Sequence, residues 1–149
     1  MLRLSKKADY ALMAMKHLAL RGDRGSSSAR EIAEQYDIPL ELMAKVLQRL
    51  VRRGLLGSHQ GTRGGYQLSR LPRQITVADV IQAIDGPVTV TACSTDDGQC
   101  EQFSKCNVRD PLWRVRERIL SALGECTIAE LASDAPPAPA RAAVLHTNL

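Results

Sequence analysis

Apolar residues recur through the first fifty positions at the three- and four-residue steps of an amphipathic helix. Leu4, Ala8, Ala11, Leu12, Met15, Leu18 and Ala19 fall on one stripe, predicting a helix from Leu4 to Leu20 with Gly22 and Gly25 beyond its end. Ser28-Ala29-Arg30-Glu31 has the form of a capping box, so a second helix is expected from about Ala29 to Tyr36. Pro39 suits the first turn of a third helix, where its missing N–H costs nothing. That helix is expected to reach about Arg53, to bury Leu42, Val46, Leu47 and Leu50, and to stop at Gly54.

The period then changes. Leu55–His59 and Tyr66–Leu68 read as two short strands around the turn-rich run Gln60-Gly61-Thr62-Arg63-Gly64-Gly65. Thr76 is placed to cap a helix from Val77 to about Ile84, broken by Asp85-Gly86-Pro87. A polar loop follows over residues 88–106. From Pro111 to Leu123 the residues Leu112, Val115, Ile119 and Leu123 align, with Gly124 as the expected stop, and Thr127-Ile128-Ala129-Glu130 is a second capping box opening a short helix. The Pro/Ala-rich run after Ser133 is expected to be disordered. The order predicts a mainly α fold with a small β-hairpin wing. Residues 1–73 form a winged helix-turn-helix, 74–133 a connecting helix, a loop and a further helix, and 134–149 a tail.

Composition narrows this picture. The chain of 149 residues can bury a core without disulfides. Its aromatics are few, Trp113, Phe103 and three tyrosines, so aliphatic side chains must fill a helical core. No apolar run approaches the roughly 18 to 20 residues of a membrane span, and the first residues lack the pattern of a signal peptide, so a cytoplasmic protein is expected. Charge is divided: residues 1–73 carry fourteen Lys/Arg against six Asp/Glu, a net of +8, and residues 74–149 carry six against ten, a net of −4. A basic half beside an acidic half suggests a polyanion-binding module joined to something else.

The polyanion expected is double-stranded DNA. A short connection between Tyr36 and Pro39 suits two helices crossing steeply, with the second free to enter a major groove. Pro39, Glu41, Lys45 and Gln48 lie on its less apolar side. Glu41 can accept from cytosine N4, and Lys45 and Gln48 can reach base edges or phosphates. Arg49, Arg52 and Arg53 suit phosphates, giving affinity rather than sequence choice. Arg63, flanked by Gly61, Gly64 and Gly65, suits a narrow minor groove.

The loop carries the candidate metal chemistry. Cys93, Cys100 and Cys106 are spaced C-x6-C-x5-C in a hydrophilic run. Thiolates favour zinc, copper(I) and iron–sulfur clusters. The gaps are longer than the C-x2-4-C pairs common in zinc sites, and three thiols leave a fourth position open. An iron–sulfur cluster, zinc, a thiol redox switch and no function at all remain open on spacing alone. Asp96, Asp97, Glu101 and Asp110 read as loop solvation, and Cys126, between two helical segments, reads as a buried small hydrophobe. No acid–base pair or nucleophile–base arrangement points to an enzyme; His17, His59 and His146 are scattered.

Four segments together carry a family resemblance. The opening Leu2-Arg3-Leu4-Ser5-Lys6-Lys7-Ala8-Asp9-Tyr10, the wing from Gly61 to Leu68, the segment from Ile75 to Gly86, and the three cysteines with Asn107 to Trp113 resemble the Rrf-type winged-helix iron–sulfur regulators. The resemblance spans about Leu2 to Leu131. It implies a homodimer paired through a long dimerisation helix, Pro111 to Leu123, and a cluster on Cys93, Cys100 and Cys106 of each protomer, two-iron or four-iron. The cluster-assembly branch of that family has a His three residues after its last cysteine; Arg109 stands there in this chain and cannot ligate. The nitric-oxide-sensing branch draws an Asp ligand from the first helix of the other subunit, and the matching residue is Asp9. The opening most resembles the Suf-operon branch. The function implied is a repressor of cluster-assembly genes, or a nitric-oxide-responsive repressor. Readings of a different class are an iron–sulfur carrier and a zinc-stabilised interaction module; neither needs a basic half or the Arg63 wing.

Overall fold

The computed structural model describes residues 3–22, 25–61, 64–90 and 100–133. Helix α1 spans Lys6–Arg21, opened by Ser5, whose hydroxyl accepts from the Ala8 amide. The expected start at Leu4 is therefore two residues early: Ser5 satisfies a free N–H at the helix end, and Leu4 stays partly exposed. Its buried stripe is mostly alanine, Ala8, Ala11 and Ala14 with Met15 and Leu18, and small side chains let neighbouring helices approach closely.

Helix α2 (Ala29–Gln35) is capped by Ser28, which accepts from the Glu31 amide. The Glu31 carboxylate turns instead toward Arg21, 3.4 Å away. Helix α3 (Leu40–Arg52) has Pro39 just outside it as N-cap. Its buried face is Met43, Val46, Leu47 and Leu50; Met43 takes the place expected of Leu42, which is only half-buried. The helix ends in a Schellman motif. The Gly54 amide donates to Val51 and the Leu55 amide to Leu50, and the Gly54 φ of 77° is the left-handed turn this requires.

The chain then forms an antiparallel hairpin, β1 (Leu56–His59) and β2 (Gly65–Leu68), in which Leu56 faces Leu68 and His59 faces Gly65. Ser27 adds an antiparallel bridge on the free edge of β2, through Tyr66. A short 3-10 turn, Pro72–Gln74, leads to α4 (Val77–Asp85), closed at its start by a full capping box between Thr76 and Asp79. After a second 3-10 turn, Phe103–Lys105, α5 runs Arg109–Glu125 and α6 Ile128–Ala132. The expected stop at Gly124 lies inside α5; Cys126 is its C-cap.

One core joins these elements. Ile75, Val80, Ala83 and Ile84 from α4 and its approach, and Ile128 from α6, pack with the buried faces of α1, α2 and α3. Main-chain bonds tie the starts of α4 and α6 together, Val77 N to Cys126 O at 2.8 Å and Ile128 N to Ile75 O at 2.9 Å. Helix α5 contributes no buried residue. Among the described residues no helix is long and apolar enough to cross a membrane.

Candidate nucleic-acid interface and cysteine loop

The packing of α3 decides what it can offer outward. With Met43, Val46, Leu47 and Leu50 turned inward, Glu41, Lys45, Gln48, Arg49 and Arg52 are left exposed on the opposite side. Pro39 gives the helix no side-chain cap, so its first amides remain available to an anion. A surface groove of about 410 Å³ opens alongside, lined by Lys7, Lys45, Gln48, Arg49 and Arg52 with apolar walls. Four cations around one groove make a favourable place for a polyanion backbone.

Two of the expected DNA residues already have partners within the chain. Arg49 donates from Nε to the Ala83 carbonyl at 2.8 Å, tying α3 to the last turn of α4. Gln48 donates from Nε2 to the Tyr66 hydroxyl at 2.7 Å, tying α3 to β2. Arg63 lies outside the described residues; of its neighbours, the Gly64 amide donates to Gly61 O at 2.9 Å.

Behind the wing sits a partly buried polar relay that the sequence did not single out. Ser27 is fully buried. Its hydroxyl lies 3.2 Å from His17 Nε2, and His17 Nδ1 lies 2.9 Å from the Tyr36 hydroxyl. Burial, with Arg21 nearby, holds His17 below the ordinary imidazole range, against an opposing pull from Glu31. His17 was one of three scattered histidines; only the fold shows that it faces two hydroxyls.

The cysteine loop is described in part. Cys93, Asp96 and Asp97 lie outside the described residues. Cys100 and Cys106 are half-exposed free thiols on either side of the 103–105 turn, which closes through Phe103 N on Cys100 O at 3.1 Å. Arg109 fixes the exit from this turn: it donates to Phe103 O at 3.0 Å and stacks 4.3 Å over the Phe103 ring. The entry is fixed by Arg116 of α5, whose Nε donates to Val88 O at 2.9 Å, and by Asp85, whose carboxylate accepts from Ser5 N at 3.3 Å and Ser5 Oγ at 2.5 Å. Neither clamp had been expected; Asp85 had been read only as part of a helix breaker.

The donors divide by environment. Cys100 and Cys106 are accessible soft donors of the kind an iron–sulfur centre takes. Cys126 is different. Burial, followed by hydrogen bonding to and the charge of Glu130, pushes its thiol up, which favours the protonated form over the thiolate a metal needs. It is half-buried rather than buried as the sequence suggested. Asp9 sits in the first turn of α1. Among the described residues no three His, Cys, Asp or Glu side chains gather into one metal-binding group.

The family model for iron-dependent transcriptional regulators of the Rrf2 type matches residues 4–134. The chain belongs to the Rrf2 family. The HTH-type transcriptional regulator IscR of Xenorhabdus nematophila is 37% identical over 131 residues, covering 87% of this chain and 79% of that protein. IscR of Cronobacter sakazakii is 34% identical, with 89% and 82% covered. Among solved structures, the global cysteine regulator CymR of B. subtilis superposes with a TM-score of 0.72 at 29% identity, covering 91% of this chain and all of that one. T. potens IscR superposes with a TM-score of 0.70 at 28% identity, covering 93% and 94%. This Rrf2 protein is thus a DNA-binding transcriptional regulator with a winged-helix fold, and it is not an enzyme.

Proposed function

We propose that this Rrf2 regulator is a homodimeric repressor of iron–sulfur cluster assembly genes that senses through its own cluster. Cys93, Cys100 and Cys106 would hold the cluster, with Asp9 of the partner subunit as fourth ligand. Helix α3 would read the major groove through Glu41, Lys45 and Gln48, with Pro39 at its start and Arg49, Arg52 and Arg63 toward phosphates or the minor groove. The observation that carries the reading is the pairing, in one chain, of a cationic helix face with two accessible thiols on a turn clamped to an otherwise unburied helix. The likeness to proteins named IscR supports the choice of target genes.

A bound cluster supplies a centre that oxidation, nitrosylation or iron shortage alters. The chain's own residues supply the route onward. The last turn of α4 holds Arg49 of the recognition helix at Ala83 and Ser5 of α1 at Asp85, and three residues further Val88 is held by Arg116 of α5. A change in the loop that follows α4 therefore bears on α3 and on the start of α1 together. The half-buried apolar side of α5, including Leu112, Ile119 and Leu123, with exposed Trp113 and Val115 beside it, suits pairing with a second copy.

Anaerobic purification with iron, sulfide and zinc assays tests the reading. Parent protein should carry iron and sulfide. Cys100→Ala and Cys106→Ala should lose both, and Cys126→Ala should keep them. Stoichiometric zinc without sulfide would overturn it.

A further inference from the structure

Two DNA-reading elements on separate stretches of chain act as one reader only if something fixes their spacing. In this protein they meet at Tyr66. Its hydroxyl accepts from Gln48 Nε2 at 2.7 Å, reaching from β2 to the exposed face of α3. Its main chain is held on the other side: Tyr66 N donates to Ser27 O at 2.8 Å, and Ser27 N donates to Tyr66 O at 3.0 Å. Ser27 is itself fully buried, in contact with His17 of α1. The approach of the two segments leaves no room beside Tyr66; a Cβ on Gly65 would lie 2.6 Å from the carbonyl carbon and oxygen of Ser27. Tyr66 is thus anchored to the core by its backbone while its ring tip holds a glutamine on the recognition helix.

A free glutamine side chain has several rotamers to lose on binding, and fixing it beforehand removes part of that cost. The bond to Tyr66 uses one N–H of the Gln48 amide. The second N–H and the Oε1 acceptor remain, and that donor–acceptor pair matches adenine N7 and N6 in the major groove. We propose that Tyr66 is a positioning residue for operator reading, holding the Gln48 amide to recognise an A·T pair and joining wing and recognition helix into one unit. This rests on the reading of α3 as the groove-entering helix.

The test uses the full-length, anaerobically purified protein and a duplex selected from a randomised pool. Tyr66→Phe removes one oxygen and keeps the ring. It should weaken binding by about two- to tenfold, as expected for returning rotamer freedom to one side chain in the free protein, and flatten preference at one A·T position. The salt dependence should be unchanged, because the substitution removes no charge. Gln48→Ala, an exposed change that leaves the core alone, should flatten the same position, and the double variant should lose no more than Gln48→Ala alone. Parent-like affinity and preference in Tyr66→Phe would overturn the pairing. So would additive losses in the double variant, since they would make Tyr66 a direct DNA contact. Lys45→Ala separates the two levels. If it weakens binding while Tyr66→Phe does not, only the pairing falls. If Lys45→Ala, Gln48→Ala and Tyr66→Phe all bind like the parent, the assignment of α3 falls with it.

Discussion

Helices α3 and α5 are both amphipathic, yet they stand at opposite ends of a range. Helix α3 has 13 residues, four of them buried, a Schellman stop and side-chain ties to both α4 and β2. Helix α5 has 17 residues, none of them buried, and Trp113 is 53% exposed. Helix α3 is finished within one chain. The longer helix spends its polar side chains on clamping the cysteine loop and leaves its apolar positions half open. Rigid presentation is needed where base edges are read, and an open face is needed where another copy is to dock. Under the proposed function the contrast is one between a reading surface and an assembly surface.

The contrast can be broken most sharply by truncating each helix. Leu50→Ala in α3 removes a fully buried side chain and should cost about 2–5 kcal/mol in urea unfolding. Trp113→Ala in α5 should cost under about 0.5 kcal/mol in dilute protein, with a penalty that grows as concentration rises. Equal, concentration-independent losses would mean that α5 is already packed within the protomer. Next in size, Gly65→Ala should destabilise by about 1–3 kcal/mol, because its Cβ meets Ser27 backbone at 2.6 Å and cannot move aside; a parent-like melting curve would place β2 further from Ser27. Thr76→Ala removes one half of a closed capping box and should cost about 1 kcal/mol, read by the same melts.

The smallest effect is in pH. His17 has a folded-state affinity for protons below its ordinary one near 6.5. The unfolded chain then binds more protons, so stability rises with pH. It should fall as pH drops through about 6.5 and level off below the folded-state value. His17→Gln, which keeps hydrogen-bonding capacity without titrating, should flatten that part of the profile in urea titrations at fixed ionic strength.

Much of the fold was legible because its signals are local. Ser28, Thr76 and Thr127 each cap the helix they were expected to cap, since a hydroxyl beside free amides acts within four residues. Gly54 ends α3 because only a residue at ease with positive φ closes that motif. Boundaries slipped where two local signals competed: Ser5 outbid the apolar Leu4 stripe, and Gly124 proved too weak a breaker to stop α5 before Cys126. The half-filled box at Ser28 was a tertiary matter, since Arg21 on α1 draws off the Glu31 carboxylate.

The candidate site divides in the same way. Residue type and helical spacing suffice to say which face of α3 is polar, that Arg63 sits among glycines, and that three soft donors share a loop, because those properties belong to short stretches of chain. They do not suffice to say that Gln48 is held by Tyr66, that Arg49 answers to Ala83, that Arg116 holds Val88 or that His17 lies between two hydroxyls. Those partners are 18 to 34 positions apart in all but the His17–Ser27 pair, which is 10 apart. Contacts at such range carry no local periodicity; they exist only once α1, α3, α4 and the wing have closed on a common core, and that closure is what the tertiary structure alone decided.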